Sequence, residues 1–337
     1  MYRMRHRVFR FLVLLVVVAL TVPSLAMDAE VFKIGTGGNG GTYYPIGQIV
    51  AGIVGSPPGA SPCTETDNCG IPGLTAVALT SLGSVANVEG VSLGELGAAF
   101  VQSDVAFWAH SGTGLYADKQ PHKNIRAIAS LYPESIHLVA RRIDGVETLD
   151  HLKNRVVALG AQTSGTLVDA RLVLVAAGLD EKTDFKLRYF SPDVAAEKIN
   201  KGEIDTFFSV AGYPSSAVSR AIDSGSSHVL PIDGMAVEFM LLEHGFLSRD
   251  IIPAGVYGNS ADIPTVAVNA LIIVSATADE EFIYRLTKAL WRKGAGKLLQ
   301  QGHPKGKRVT VESALDGIGI PLHSGAKRYY RENGKLK

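Results

Sequence analysis

Two stretches of the chain combine glycines, hydroxyl side chains and a following apolar helical pattern, and these residues are the best placed to do chemistry. The first is Ile34-Gly35-Thr36-Gly37-Gly38-Asn39-Gly40-Gly41-Thr42, and the second is Leu159-Gly160-Ala161-Gln162-Thr163-Ser164-Gly165-Thr166. Each reads as a strand, a glycine-rich loop and the start of a helix. A helix start presents unpaired backbone N–H groups and roughly half a positive charge. Glycine lets a ligand approach that backbone because no Cβ intervenes. Thr and Ser hydroxyls add donors. Such a loop can bind an anionic group without Arg or Lys, although a plain tight turn reads the same way. In an open α/β sheet these loops lie at the carboxyl ends of the strands, where ligands bind. One loop in each of two lobes would line both walls of a cleft.

Other chemistries fit less well. Gly35, Gly37 and Gly40 match G-x-G-x-x-G, the pattern of a dinucleotide fold. The ribose-binding acid expected about 20 residues on is missing, because residues 57–62 read Pro-Pro-Gly-Ala-Ser-Pro. Neither loop is followed by Gly-Lys-Ser/Thr, so a Walker loop is absent. There is no G-x-S-x-G and no H-E-x-x-H, and the nine histidines lack metal-like pairing. A secreted hydrolase using Ser164 as nucleophile needs a base within hydrogen-bond reach, and no nearby motif supplies one. The sequence therefore implies no catalytic residues, no metal and no cofactor.

The elements that must carry these loops alternate between strand and helix, which predicts α/β architecture. Strands are expected at 31–35, 98–101, 136–140, 155–160, 206–210 and 267–275. Helices are expected at 42–54, from 104, at 165–177, at 215–223 and as one long helix over 280–299, with a helical turn at 149–152. The first helix places Tyr43, Ile46, Ile49, Val50 and Ile53 on one face. Gly178 can end the 165–177 helix in the left-handed conformation. Two segments also resemble each other, Gly94-Glu95-Leu96-Gly97-Ala98-Ala99-Phe100-Val101 and Gly202-Glu203-Ile204-Asp205-Thr206-Phe207-Phe208-Ser209. Both are a Gly-Glu turn and a strand with Phe at the same offset, as expected of two similar lobes.

The 337 residues suggest about two domains, and 46% hydrophobic against 19% charged residues excludes a disordered chain. A net charge of +1 gives no basic field for nucleic acid. Arg3, Arg5, Arg7 and Arg10 precede an apolar run from Phe11 to Val22, then Pro23 and Ser24-Leu25-Ala26. This reads as a signal peptide of residues 1–26 cleaved after Ala26; the run is short for a membrane span, which needs about 20 residues. Without those four arginines, 29 basic residues face 32 acids, a net charge of −3. In an oxidising compartment, Cys63 and Cys69 within a Pro/Gly-rich loop favour a local disulfide worth roughly 2 kcal/mol. Two reduced thiols are the alternative.

With these residues in view, the mature chain resembles the solute receptor of TRAP transporters, TAXI family. The matching segments are Ile34-Gly35-Thr36-Gly37-Gly38 with Gly41-Thr42-Tyr43-Tyr44-Pro45-Ile46-Gly47, Gly83-Ser84-Val85-Ala86-Asn87-Val88, Phe100-Val101-Gln102-Ser103-Asp104-Val105-Ala106 and Ala129-Ser130-Leu131-Tyr132-Pro133-Glu134. Further on they are Thr163-Ser164-Gly165-Thr166, Leu230-Pro231-Ile232-Asp233-Gly234, Ile252-Pro253-Ala254-Gly255-Val256-Tyr257 and Pro264-Thr265-Val266-Ala267-Val268. The Cys63–Cys69 insertion departs from the shortest family members. The resemblance implies a two-lobed periplasmic binding protein-like (type II) α/β fold with a hinge and an interlobe cleft. Lobe 1 would span 27–137 and 233–337 and lobe 2 would span 138–232, with hinge strands at 136–140 and 271–274. It implies a periplasmic receptor for a small carboxylate, such as glutamate, 2-oxoglutarate or a related dicarboxylate, delivered to a TRAP membrane permease. An exported ligand-sensing module acting on a signalling partner is the alternative. The expected first wall is Thr36, Gly37, Thr42, Tyr43, Asn87, Gln102 and Ser103. The expected second wall is Ser164, Gly165, Thr166, Ser209 and Gly212, with Tyr132 at the crossing.

Overall fold

A computed structural model of the chain describes residues 31–60, 70–142 and 146–337. The expected signal peptide and the Cys63/Cys69 pair lie outside the described residues. Apolar strands and one-sided helices alternate from the start. They are β1 (Phe32–Gly35), α1 (Tyr43–Val54), β2 (Gly55–Ser56), β3 (Ile71–Pro72), β4 (Ala76–Leu79), α2 (Ser84–Ser92), β5 (Ala98–Gln102), α3 (Ser103–Ser111) and β6 (Ile125–Arg141). A second series follows: β7 (Val156–Ala158), α4 (Gly165–Ala176), β8 (Lys186–Arg188), α5 (Pro192–Asn200), β9 (Thr206–Ala211), α6 (Ser216–Asp223), β10 (Ser227–Leu230), α7 (Gly234–Glu243) and β11 (Ser248–Ile252). The chain then returns through β12 (Ile263–Ser275), α8 (Glu280–Leu290), α9 (Lys293–Gly302) and α10 (Ser324–Glu332).

The two series build mirrored sheets. In one, β1 lies between β4 and β5, all parallel; in the other, β7 lies between β8 and β9, all parallel. Between them run β12 and β6, antiparallel to each other and to their outer neighbours, giving the order β4-β1-β5-β12-β6-β9-β7-β8. The internal resemblance noted in the sequence is matched in space. Its strands are β5 and β9, and its turn glycines, Gly94 and Gly202, both have positive φ, at 77° and 72°.

Each half has its own core. Ile34, Ile46, Phe100, Ile128, Ile272, Leu286 and Tyr330 pack together in one, and Leu138, Val157, Leu167, Val173, Phe208, Met240 and Val266 in the other. The long strands belong to both. Leu131 and Tyr132 of β6 enter the first core and Ile136 and Leu138 the second. Residues Val237, Met240 and Leu247 also pack into the second core. The fold is a two-lobed α/β architecture of the periplasmic binding-protein kind, with the expected hinge segments inside β6 and β12.

One element departs from the sequence reading. The helix expected over 280–299 is two helices, α8 and α9, because Arg292 is extended at φ −64° and ψ 150°. Tertiary bonds hold the break: the Trp291 indole N–H donates to the Tyr330 hydroxyl at 2.8 Å, and Arg292 Nη2 donates to the Ile53 carbonyl at 3.0 Å. Gly294 and Gly296 weaken any continuous helix there. Apolar periodicity alone does not register such a break.

Candidate functional site

Strand register determines where the site lies. Strand β5 ends at Gln102, which pairs with Ala270, which pairs with Tyr132. Strand β9 ends at Ala211, which pairs with Ser135. The carboxyl ends of both parallel sets therefore meet on β6 between Tyr132 and Ser135. The glycine loops leaving β1 and β7 converge there and line a single cavity of about 60 Å³, room for a few waters. The starts of α1, α2 and α4 contribute Thr42, Tyr43, Gly83, Ser84, Ser164, Gly165 and Thr166 to its wall. None of these three helices has an acid in its first turn, so their positive ends are not neutralised locally.

Seven of the thirteen expected ligand-binding residues line this cavity: Gly37, Thr42, Tyr43, Gln102, Ser164, Gly165 and Thr166. The other six sit behind it. Thr36 Oγ1 donates to the Leu79 carbonyl at 2.7 Å. Asn87 Nδ2 donates to the carbonyls of Thr36 and Phe100, at 2.6 and 2.7 Å, tying α2 to β1 and β5. Ser103 Oγ accepts from the Asn269 N–H at 3.2 Å. The Gly212 carbonyl accepts from Thr42 Oγ1 at 2.7 Å. Tyr132 and Ser209 are buried, and their hydroxyls have no partner.

The Ser and Thr hydroxyls of the second wall are already engaged. Ser164 Oγ accepts from the Leu167 N–H at 3.2 Å as the α4 cap and donates to the Ala161 carbonyl at 2.7 Å. Thr166 Oγ1 accepts from the Val210 N–H at 3.2 Å. Ser164 is thus a capping residue without a base among its partners, which argues against a serine nucleophile. What the second wall offers a ligand is chiefly the backbone of the α4 start. Glycine at 165 is a requirement of close approach: a Cβ there would fall inside the Gln102 side-chain amide and 2.8 Å from Ser84 Oγ.

The two halves touch directly around the cavity. Gly40 N–H donates to Asp193 Oδ2 at 2.8 Å, and the Gly40 carbonyl accepts from Ser215 Oγ at 2.8 Å and the Ala217 N–H at 3.1 Å. Ala86 N–H donates to the Thr163 carbonyl at 3.3 Å. Gln102 Nε2 donates to Asp169 Oδ2, and Gln102 Oε1 accepts from Ser84 Oγ at 3.1 Å.

Sequence reasoning missed the buried acids. Glu134, on β6, lines the cavity, is 2% exposed and has an Oε2 without a partner. Burial pushes its carboxyl up to about 8, since the charged form loses its hydration. The Tyr43 hydroxyl, also unpartnered, lies beside it. Asp104 on α3 and Asp169 on α4 are wholly buried. Burial raises Asp104 to about 6 and Asp169 well above the usual carboxylate range. A buried cation stands beyond Glu134: Lys305, 3% exposed, sits over the Tyr213 ring at 3.4 Å and is lowered to about 8 by burial. One signal was available. Glu134 directly follows Leu131-Tyr132-Pro133 and Asp169 lies between Leu167-Val168 and Ala170, and an acid amid such apolar neighbours is costly to bury as an ion and calls for a reason. Arg141, in contrast, is paired with Asp205 at 3.5 Å and does not line the cavity. Among the described residues, no cluster of His, Cys, Asp or Glu is arranged to hold a metal, and no helix is long and apolar enough to cross a membrane.

Fold and cleft together define a two-lobed periplasmic binding-protein architecture. The chain belongs to the NMT1-like family, whose model matches residues 34–334. Among solved structures, a protein of Bordetella bronchiseptica RB50 is similar at TM-score 0.50 and 16% identity, over 90% of this chain and 82% of that one. A structure described as a periplasmic transporter is similar at TM-score 0.50 and 11% identity, over 90% and 92% of the two chains. The periplasmic aliphatic sulphonate binding protein SsuA from Escherichia coli is more distant, at TM-score 0.44 and 12% identity over 90% and 83%. At these identities the likeness to the first two structures establishes the fold alone.

Proposed function

We propose that the chain is an exported receptor that closes two lobes over a small carboxylate and delivers it to a membrane permease of the TRAP type. The observation that carries this reading is the meeting of the two glycine-lined helix starts, 37–43 and 164–166, across one cavity. Backbone N–H groups at such starts favour an anion. The lobes would run from 27 to 135 with 269–337, and from 136 to 268, following the two cores and extending the second lobe beyond the 138–232 expected from the sequence. Residues 1–26 would direct export to the periplasm, and Cys63 and Cys69 would pair there. Binding would be the whole of its activity: Ser164 caps a helix, and transport chemistry would belong to the permease.

Glu134 narrows the solute. Among glutamate, 2-oxoglutarate and related dicarboxylates, an unpartnered acid beside the donors suits glutamate, whose ammonium group would favour the ionised form of Glu134 and pair with it. A ligand that binds only the folded state stabilises it by about 2.7 kcal/mol at a hundredfold excess over Kd. The test is a thermal-shift screen of residues 27–337 against carboxylates. L-glutamate should raise the melting temperature by several degrees and 2-oxoglutarate by less. A panel of amino, keto and dicarboxylic acids without any shift would remove the carboxylate reading.

A further inference from the structure

Asp104 and Asp169 have no part in the solute reading above, yet both are carboxyls buried where the two lobes meet. One stands in the first turn of α3, in the first lobe, and the other on α4, in the second; both are 0% exposed. Asp169 Oδ2 accepts from Gln102 Nε2 of the first lobe. The other three oxygens of the pair, both of Asp104 and Oδ1 of Asp169, have no hydrogen-bond donor, and the two carboxyls act directly on each other. Two adjoining carboxylates can bond only through a proton between them, and a single proton between Asp169 Oδ1 and Asp104 would serve both.

We infer that Asp104 and Asp169 form a shared-proton latch between the lobes, so that closure takes up one proton and opening releases it. The inference rests on the two-lobed receptor reading, since the latch acts only if the lobes part. With the cleft open, both carboxyls regain water and ionise at ordinary carboxylate values. With it closed, one proton is held in a site without water. The facing groups do not supply a substitute. Glu134 on β6 is a third acid acting on the pair, and Lys305 acts on Glu134 from beyond it. Gln102 on β5 and Ser84 on α2 are neutral. On its other side α4 packs against the apolar Val237 and Met240 of α7. Between the open-state and closed-state pKa values, each pH unit shifts the closed-to-open ratio by up to tenfold towards open.

The test uses no solute, so it can fail without touching the receptor reading. Small-angle scattering of ligand-free residues 27–337 is recorded from pH 5 to 9. The wild type should be compact at pH 5 and expand as the pH rises. Asp169→Asn keeps a donor towards Asp104 without a titrating proton, so it should stay compact throughout. Should that variant fail to fold, Asp104→Asn, whose amide can donate to ionised Asp169, should behave the same way. A wild-type radius independent of pH, or a variant that expands along with the wild type, overturns the latch.

Discussion

Replacing Gly165 with Ala separates binding from folding. The backbone at 165 is not left-handed, so an alanine there is unstrained and, by helix propensity, favourable by up to about 1 kcal/mol. The closed cleft is another matter. The new methyl would occupy the place of the Gln102 amide, driving that side chain away from both Ser84 and Asp169. Leaving buried polar groups unsatisfied costs about 1–3 kcal/mol each, so losing both bonds weakens the closed form by roughly 2–6 kcal/mol. At 1.4 kcal/mol per decade that is about a 30- to 20,000-fold loss of solute affinity. Gln102 in the open protein is free to move, so ligand-free stability should hold or rise slightly. Titration calorimetry with the best solute from the thermal-shift screen, beside thermal melts without it, reads both quantities. G165A binding within threefold of wild type would refute the reasoning, because it would mean that the lobes do not close on the Gln102–Gly165 contact.

Two further outcomes follow from the site. Glu134 is raised from 4.5 to about 8, so the folded protein holds a proton that the unfolded chain releases; its contribution is complete below pH 4.5 and is lost as the pH rises to about 8. The full shift corresponds to on the order of 5 kcal/mol, so the ligand-free melting temperature should fall between pH 5 and 8 and the fall should be shallower in Glu134→Gln; a melting temperature that climbs across this window contradicts the buried acid. Ser164→Ala removes the cap on Leu167 and should cost about 1 kcal/mol in chemical denaturation; an unchanged midpoint would show that the hydroxyl has another role.

Local pattern carried much of this structure. The strand, glycine loop and helix order at 34–43 and 159–166 is a property of neighbouring residues: turn formers next to an apolar period. It located both helix starts, the residues Gly37, Thr42, Tyr43, Ser164, Gly165 and Thr166 on the wall, and the α/β class. The matched Gly94 and Gly202 turns were equally legible, because a positive φ selects glycine over short range. Tertiary structure decided the rest. Whether a hydroxyl faces a ligand or its own backbone depends on what packs opposite, so Thr36 and Ser103 turned inward while Ser84 reached the wall. The break between α8 and α9 came from Tyr330 and Ile53, remote in sequence. Glu134 became a cavity acid, and Asp104 met Asp169, only because antiparallel register along β6 and β12 brings the ends of β5 and β9 to one place. Sequence period records which face of an element is buried; it does not record which distant side chain will share that burial, and shared burial sets the charge of the site.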